Sequence, residues 1–406
     1  MEIRPILSSL RRHKITTLLL VLQIALTCAI VCNAVFMISQ RMQRTQMPSG
    51  VAERELIEVQ VASIGTQPDA AARTSADLAL LRQLPGVKAA ALATQLPFTN
   101  SSWNSGITLD PAQKESTLNA TTYYGEGLAE VLGTQLQGGR YFNADDYIDL
   151  SAVMADQSKR PSVVIITQQL GERLWPGQSP LGKQIYLGKD SPLRVVGVVK
   201  ALIRPSLSQG DSGAQWSLLL PLRANIDNAV DYVLRTSPEQ RDRLLQSAAD
   251  ALNKADPHRV ILKKKTLEQM RSDFFRNDRA MAGILIGVCV ALLVVTALGI
   301  VGLASFWVAQ RRRQIGVRRA LGATRRNILH YFQTENFLLA SIGIVLGMVL
   351  AYGINLFLMA HYELARLPAT YFPIGALALW LIGQLAVLGP AMRAAAVPPV
   401  VATRAE

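Results

Sequence analysis

The hydrophobic pattern divides the chain into four uncharged runs and one long polar interval. Ile15–Ile38, Ala280–Gln310, Asn336–Tyr362 and Leu367–Met392 are each long enough to cross a bilayer as a helix. The second run exceeds the need for one crossing, which fits a tilted or protruding helix. The third and fourth are joined by a short loop, so they are expected as antiparallel neighbours. Within the polar interval, alternation and β-branched runs predict strands over Glu55–Ile64, Val87–Thr94, Ser162–Thr167, Gln184–Leu187, Leu193–Lys200, Trp216–Leu220, Ala229–Arg235 and His258–Lys263. Helical periodicity predicts helices over Asp69–Leu84, Gly125–Leu132, Gln168–Trp175 and Pro238–Lys254, with Pro85-Gly86 and Pro176-Gly177 as stops. Ser237 followed by Pro238 reads as an N-cap and first helical position. Thr266–Asn277 is amphipathic, and no Pro or Gly separates it from the second run. One continuous helix that emerges from the membrane as a stalk is therefore predicted. The fold class that follows is an α-helical membrane protein with four transmembrane helices and a large mixed α+β extracytoplasmic domain inserted between helices one and two.

Charge orients this plan. The formal net charge is +13, and most of the excess flanks the runs. Arg4, Arg11, Arg12 and Lys14 precede the first, seven arginines lie between the second and third, and Arg393 and Arg404 follow the last. Lys- and Arg-rich loops stay on the cytoplasmic side, so all three positions are expected there. The predicted plan is a cytoplasmic N-terminus (1–14), a first span (15–40), a periplasmic core domain with stalk (41–279) and a second span (280–310). A cytoplasmic element (311–332), a third span (333–362), a short outer loop (363–370), a fourth span (371–392) and a cytoplasmic tail (393–406) complete it. The first run is too long for a signal-peptide core and no A-x-A-like site follows it, so it is expected to stay as an anchor. Basic residues beside membrane spans, rather than on a folded face, argue against nucleic-acid binding.

Catalytic chemistry is absent from the pattern. Cys28, Cys32 and Cys289 all lie inside apolar runs, where they read as small packing residues rather than disulfides. His13, His258, His330 and His361 show no metal-ligand spacing. No H-E-x-x-H, G-x-S-x-G or G-x-x-x-x-G-K-[ST] occurs. The span interiors carry no ionisable residue at mid-membrane, which argues against an ion-coupled carrier. Trp307 and Trp380 read as interfacial aromatics, and Asp145-Asp146 as a turn or solvated acidic step. Gly283 with Gly287 and Gly343 with Gly347 are small residues four apart, the spacing of close helix approach.

The block Arg311–Arg326, RRRQIGVRRALGATRR, holds seven arginines and no acidic residue. An anchor needs only the arginines. Here Ile315, Val317, Ala320, Leu321, Ile328 and Leu329 recur between them at helical intervals, and Gly316 and Gly322 permit a turn or close approach. The alternatives are a helix lying on anionic lipid and a helix inserted into a partner's groove.

This block resembles the cytoplasmic signature of the FtsX/MacB family of ABC-transporter permeases. The outer domain resembles the MacB-type periplasmic core domain at Leu84-Pro85-Gly86-Val87, at Gly139-Arg140-Tyr141-Phe142 with Asp145-Asp146, at Val163–Gly182 and at Val195–Val199. Gly389–Ala395 resembles the family's "PAxRAA" ending. Gln314 departs from it, standing where the family usually has Glu.

The resemblance implies a non-catalytic membrane subunit of an ABC exporter working by mechanotransmission, two subunits per complex. The chain itself would bind no cofactor, and ATP-Mg would sit on a separate cytoplasmic ABC ATPase. That ATPase would meet Arg311, Arg312, Arg313, Ile315, Gly316, Arg318, Arg319, Ala320, Leu321, Gly322, Arg325, Arg326 and Ile328. Ile315, Leu321 and Ile328 would fill its groove, while Arg318, Arg319, Arg325 and Arg326 would pair with its acidic rim or with lipid phosphates. A second permease copy or paralogue, membrane lipid, and a periplasmic adaptor with an outer-membrane channel are the further partners it admits. The implied location is the bacterial inner membrane. The alternative is an FtsX-like regulatory protein controlling an extracytoplasmic partner such as a cell-wall hydrolase.

Overall fold

The structure, a computed structural model, describes residues 14–64, 69–100, 102–156, 159–188, 191–208, 210–224, 229–362 and 366–396. Arg4, Arg11, Arg12, Glu363 and Arg404 lie outside them. In chain order the elements are α1 (Lys14–Thr45), β1 (Leu56–Ser63), α2 (Ala70–Gln83), β2 (Ala89–Ala93), β3 (Asn104–Ile107), β4 (Leu118–Tyr124), α3 (Leu128–Val131), β5 (Leu136–Gly139), β6 (Ile148–Asp149) and α4 (Leu150–Ala155). Then follow β7 (Val163–Thr167), α5 (Gln168–Leu174), β8 (Gln184–Tyr186), β9 (Pro192–Val199), β10 (Ser217–Leu220), β11 (Leu222–Arg223), β12 (Ala229–Arg235), α6 (Arg241–Ala255), β13 (Arg259–Thr266) and α7 (Leu267–Phe274). The chain ends with α8 (Arg276–Gln310), α9 (Arg312–Ala320), α10 (Arg325–Tyr362) and α11 (Tyr371–Ala395). Two compact units result: one holds the chain up to Thr45 and from Asn277 onward, the other Gln46–Arg276.

Among the described residues the α/β unit holds two large sheets and a two-stranded one, in which β11 pairs with β6 in parallel. One large sheet has the order β13-β1-β12-β2 and is antiparallel throughout. Its Ile57, Val59 and Val61 face the same core as Leu81 of α2 and Leu244, Ala248 and Leu252 of α6. The period-two pattern of β1 therefore reports a strand with helices on one face. The larger sheet runs β3-β4-β10-β7-β9-β5, with β8 added to β9. Its central strand β7 is buried at every residue, the environment in which a continuous β-branched run is found.

Two of the motifs prove to be structural devices. Gly139 has φ +78°, and the Val196 carbonyl leaves no room for a Cβ there; the Arg140 carbonyl does the same at Gly197. This close pairing of β5 with β9 presents Arg140, which pairs with Asp146 at 2.5 Å. The Arg140 guanidinium holds the Asp146 carboxyl below its ordinary value, and Asp146 also accepts from the Asn143 amide at 2.8 Å. Asp146 is thus a capped turn residue.

Three expectations need correction here. Pro238 lies in a turn closed by Gln240 N–H donating to the Ser237 carbonyl at 3.1 Å, and α6 begins three residues later. The stalk is two helices: α7 ends at Phe274, and Phe275 (φ −90°, ψ 10°) separates it from α8. Phe275 is fully buried against Phe98 and Phe274, so tertiary packing interrupts a helix that no Pro or Gly would. Strands β3, β4, β5, β6 and β11 and helix α4 were not predicted.

Among the described residues the helical unit contains four helices long and apolar enough to cross a membrane: α1, α8, α10 and α11. Helix α10 begins eleven residues before the uncharged run that predicted it, and α11 continues through Pro390 to Ala395. Helices α1 and α10 cross closely at glycines. A Cβ on Gly343 would lie 2.8 Å from Ile24 Cβ, and one on Gly347 would lie 2.5 Å from Cys28 Cβ and 2.6 Å from the Ala25 carbonyl oxygen. Cys28 and Cys32 are fully buried free thiols that fill these crossings, Cys32 facing Gly375. Gly283 and Gly287 differ, because open space surrounds a Cβ at both, so they pack no described helix of this chain. Gly347→Leu is expected to cost about 1–3 kcal/mol by overpacking, whereas Gly287→Leu should leave the melting temperature in detergent unchanged. Equal losses in both variants would show that the α1–α10 crossing is not what the first disrupts.

Some polar groups inside this unit pair across helices. Thr27 and Thr296 hydroxyls lie 2.8 Å apart, and Asn33 Nδ2 donates to the Ala351 carbonyl at 3.1 Å. Arg41 and Asp278, at the ends of α1 and α8, pair at 2.7 Å.

Candidate functional site

The arginine block folds as a helix–turn–helix corner between two of the long helices. Arg311 (φ −99°, ψ 11°) ends α8, and α9 follows. Helix α9 stops in a Schellman arrangement: Gly322 N–H donates to the Arg319 carbonyl at 3.1 Å, and Ala323 N–H to the Arg318 carbonyl at 3.0 Å. Gly322 supplies the left-handed residue this stop requires, at φ +98°. Thr324 then caps α10, its hydroxyl accepting from the Asn327 amide at 3.3 Å. Gly322 is therefore the turn residue of the site, while Gly316 is buried within α9.

Two stripes run along α9. Ile315 and Gly316 face inward, where Ile315 joins Ile328, Phe332, Trp307 and Ala391, Ala394 and Ala395 of α11 in one apolar cluster. The opposite stripe carries Arg313, Val317, Ala320 and Leu321, all exposed, with Leu321 at 83 % the most exposed large apolar residue among those described. The expectation that Ile315 and Ile328 fill a partner's groove is thus corrected: both are 6 % exposed and occupied by their own chain. Of the three apolar residues assigned to docking, Leu321 alone is free to meet another surface.

The arginines divide in the same way. Arg311 Nη1 donates to both carboxylate oxygens of Glu335, at 3.2 and 3.0 Å, and its guanidinium stacks on Trp307 at 5.6 Å. Arg311 and Glu335 side chains are 12 % and 1 % exposed, so this is a buried ion pair. Arg319 Nη1 donates to the Ala395 carbonyl at 3.1 Å, and Arg318 lies 5.1 Å over the Tyr331 ring. Arg311 and Arg319 therefore brace the corner, whereas Arg312, Arg313, Arg318, Arg325 and Arg326 are exposed. Trp307 is 4 % exposed and belongs to this bundle core, not to an interface. A cavity of about 150 Å³ opens between α9 and α10, lined by residues including Gln314, Arg318, Asn327 and Tyr331.

Sequence reasoning missed Glu335 and the bracing role of Arg311. The available signal was a carboxylate at the edge of an otherwise uncharged run, beside an arginine block with no acid of its own. Among the described residues no cluster of His, Cys, Asp or Glu could hold a metal. Gly177–Lys183 carries the spacing G-x-x-x-x-G-K, but Gln184 replaces the hydroxyl residue and the segment runs into strand β8, not a helix. Lys183 lies over Trp175 at 5.2 Å and bonds Gln178, which places it in a surface turn.

Comparison with known proteins bears on this arrangement. The family model for the FtsX-like permease C-terminal region matches residues 286–399, which contain the corner, and that for the MacB-like periplasmic core domain matches residues 16–253. The macrolide export ATP-binding/permease protein MacB of Pasteurella multocida is 26 % identical over 418 residues, covering 97 % of this chain and 58 % of that protein. This chain thus spans little more than half the length of that relative. The uncharacterized ABC transporter permease YvrN of Bacillus subtilis is 27 % identical over 285 residues, 64 % of this chain and 69 % of that protein. Among solved structures, the periplasmic region of MacB from Actinobacillus actinomycetemcomitans aligns with a TM-score of 0.34 at 16 % identity, covering 57 % of this chain and 97 % of that one. The chain belongs to the FtsX/MacB family of ABC-transporter permeases and is a multi-pass membrane subunit with a periplasmic-type domain after its first helix.

Proposed function

We propose that this permease transmits ATP hydrolysis by a separate cytoplasmic ATPase to its outer domain, which then drives substrate export. The observation that carries this reading is the exposed stripe of α9. Val317, Ala320 and Leu321 are apolar and uncovered on a short helix that is otherwise braced from behind by Arg311–Glu335, Arg319–Ala395 and the Ile315–Ile328 core. A lipid anchor does not require a rigid support. A lever does, because a force applied at Leu321 must move α8 and α10 rather than bend a loop.

In this proposal the arginine-flanked ends face the cytoplasm and the α/β unit faces the periplasm, as the distribution of basic residues supports. Arg312, Arg313, Arg318, Arg325 and Arg326 border the apolar stripe and would meet acidic groups at the rim of the ATPase groove. Motion passes along the spans rather than through them, consistent with polar groups in the bundle that bond one another.

Purification of the tagged permease in mild detergent, with mass spectrometry of its partners, tests the reading. Recovery of an ATP-binding subunit and ATP hydrolysis by the complex are expected. Recovery of the permease with a cell-wall hydrolase and no ATP-binding subunit would overturn it in favour of a regulatory protein.

A further inference from the structure

The α/β unit contains a buried cation without a counter-charge. Arg204 follows β9 and is 5 % exposed. Its backbone is fixed on both sides: Arg204 N–H donates to the Ala214 carbonyl at 2.9 Å, and the preceding Ile203 carbonyl accepts from the Tyr123 hydroxyl at 2.6 Å. Among the described residues the guanidinium makes one hydrogen bond, from Nη2 to the Asn119 carbonyl at 3.3 Å. Its Nε is buried with no partner, and among the described residues no carboxylate pairs with it. Burial pushes the Arg204 pKa down from its ordinary value, as expected for a cation short of compensation.

Arg204 forms the floor of a cavity of about 90 Å³, whose other walls are Asn100, Ser102, Asn104, Ser206 and Ser208. Asn100, Asn104 and Ser208 are exposed and form its mouth. The hydrogen bonds among these groups leave donors unused. Asn104 Oδ1 already accepts from Ser102 at 3.1 Å and from Thr121 at 2.8 Å, so its Nδ2 hydrogens are the groups left over. The Ser208 hydroxyl accepts from Ser206 at 3.1 Å, which frees its own proton to point elsewhere. The walls thus offer a cation, amide N–H and hydroxyl O–H, and no acid. A single water needs only about 10–15 Å³ by the same measure, so a group of several heavy atoms fits.

We propose that this cavity is a binding site for a small oxyanion, a carboxylate or a phosphate, bound by the Arg204 guanidinium with Asn104 and Ser208 as further donors. Guanidinium and carboxylate or phosphate match in geometry as well as charge. The cavity's size fits one such group, either as a free ion or as the terminus of a larger molecule entering through the exposed mouth.

The test uses the full chain in detergent, titrated with sodium acetate, inorganic phosphate and glycerol 3-phosphate against chloride at constant ionic strength. Saturable binding of at least one oxyanion is expected by calorimetry. Acetate against phosphate separates the two anion types, and glycerol 3-phosphate against phosphate separates an esterified group from a free ion. Arg204→Met should weaken binding tenfold or more, and Ser208→Ala or Asn104→Ala several-fold, with the melting temperature of the unliganded protein unchanged in the latter two. The two milder variants keep the test valid should Arg204→Met fail to fold. No saturable binding by any of the three anions, or undiminished binding in these variants, would overturn the proposal and leave a cavity that holds water alone.

Discussion

Leu321→Asp is expected to release the ATPase partner while leaving the permease folded. Leu321 is 83 % exposed and sits at the last position before the glycine that stops α9. It has little contact to lose within its own chain, and substitutions at such positions usually change stability by less than about 0.5 kcal/mol. In a partner's groove the same side chain would contribute about 1.5–3 kcal/mol by burial, and a carboxylate in its place adds a desolvation cost. Together these correspond to a loss in affinity of about tenfold to a few hundredfold. Co-purification should fall accordingly, while the melting temperature stays within a few degrees of the parent. Ile315→Asp is the informative contrast. Ile315 is 6 % exposed among Phe332, Trp307 and Ala391, so a carboxylate there should unfold the corner and lower the melting temperature sharply. Full ATPase recovery with Leu321→Asp would remove the docking role from this helix face.

The four long helices and the main strands of the α/β unit were legible because each repeats one physical signal: an unbroken apolar run, or alternation between a core face and an open one. What escaped depended on contacts distant in sequence. Ile315 in α9 and Leu321 at its C-terminal cap share the helical spacing, so periodicity could not separate them, and the family resemblance implied one role for both. Which of them is covered is decided by Ala391, Ala394 and Ala395 of α11, returning some seventy residues later. The uncharged run marks where apolar residues begin and not where α10 begins, because arginine is a good helix former and α10 opens inside the arginine block. The turn at Gly322 and the cap at Thr324 set the true start. Phe275 interrupts the stalk through burial against Phe98, a residue no local rule connects to it. Strand β4, with its Thr-Thr-Tyr-Tyr segment, lacks the alternation of a half-buried strand because β3 and β10 flank it and five of its seven residues are buried.

Glu335→Leu is expected to cost about 3–5 kcal/mol, the usual range for removing one partner of a buried ion pair. The variant keeps the Arg311 guanidinium enclosed beside the Trp307 ring but removes the carboxylate it pairs with. Arg311→Met should cost a similar amount by taking the cation away from the Glu335 carboxylate, whose side chain is 1 % exposed. The double variant should recover most of either loss, because two apolar side chains of similar volume remove both charges at once. Thermal unfolding of the four proteins in the same detergent closes the cycle, and a coupling of about 2 kcal/mol or more is expected for a buried contact pair. Losses that simply add would mean that the two residues do not act as a pair. The cycle also separates stability from force transmission. In the double variant the bundle is refolded but the corner has lost its electrostatic brace between the end of α8 and α10. Under the proposed mechanism, hydrolysis by a bound ATPase should then continue while export falls, since the lever would still dock at Leu321 but would no longer move both spanning helices together. Parental export in a stably folded double variant would show that the apolar core around Ile315 and Ile328 is a sufficient support by itself.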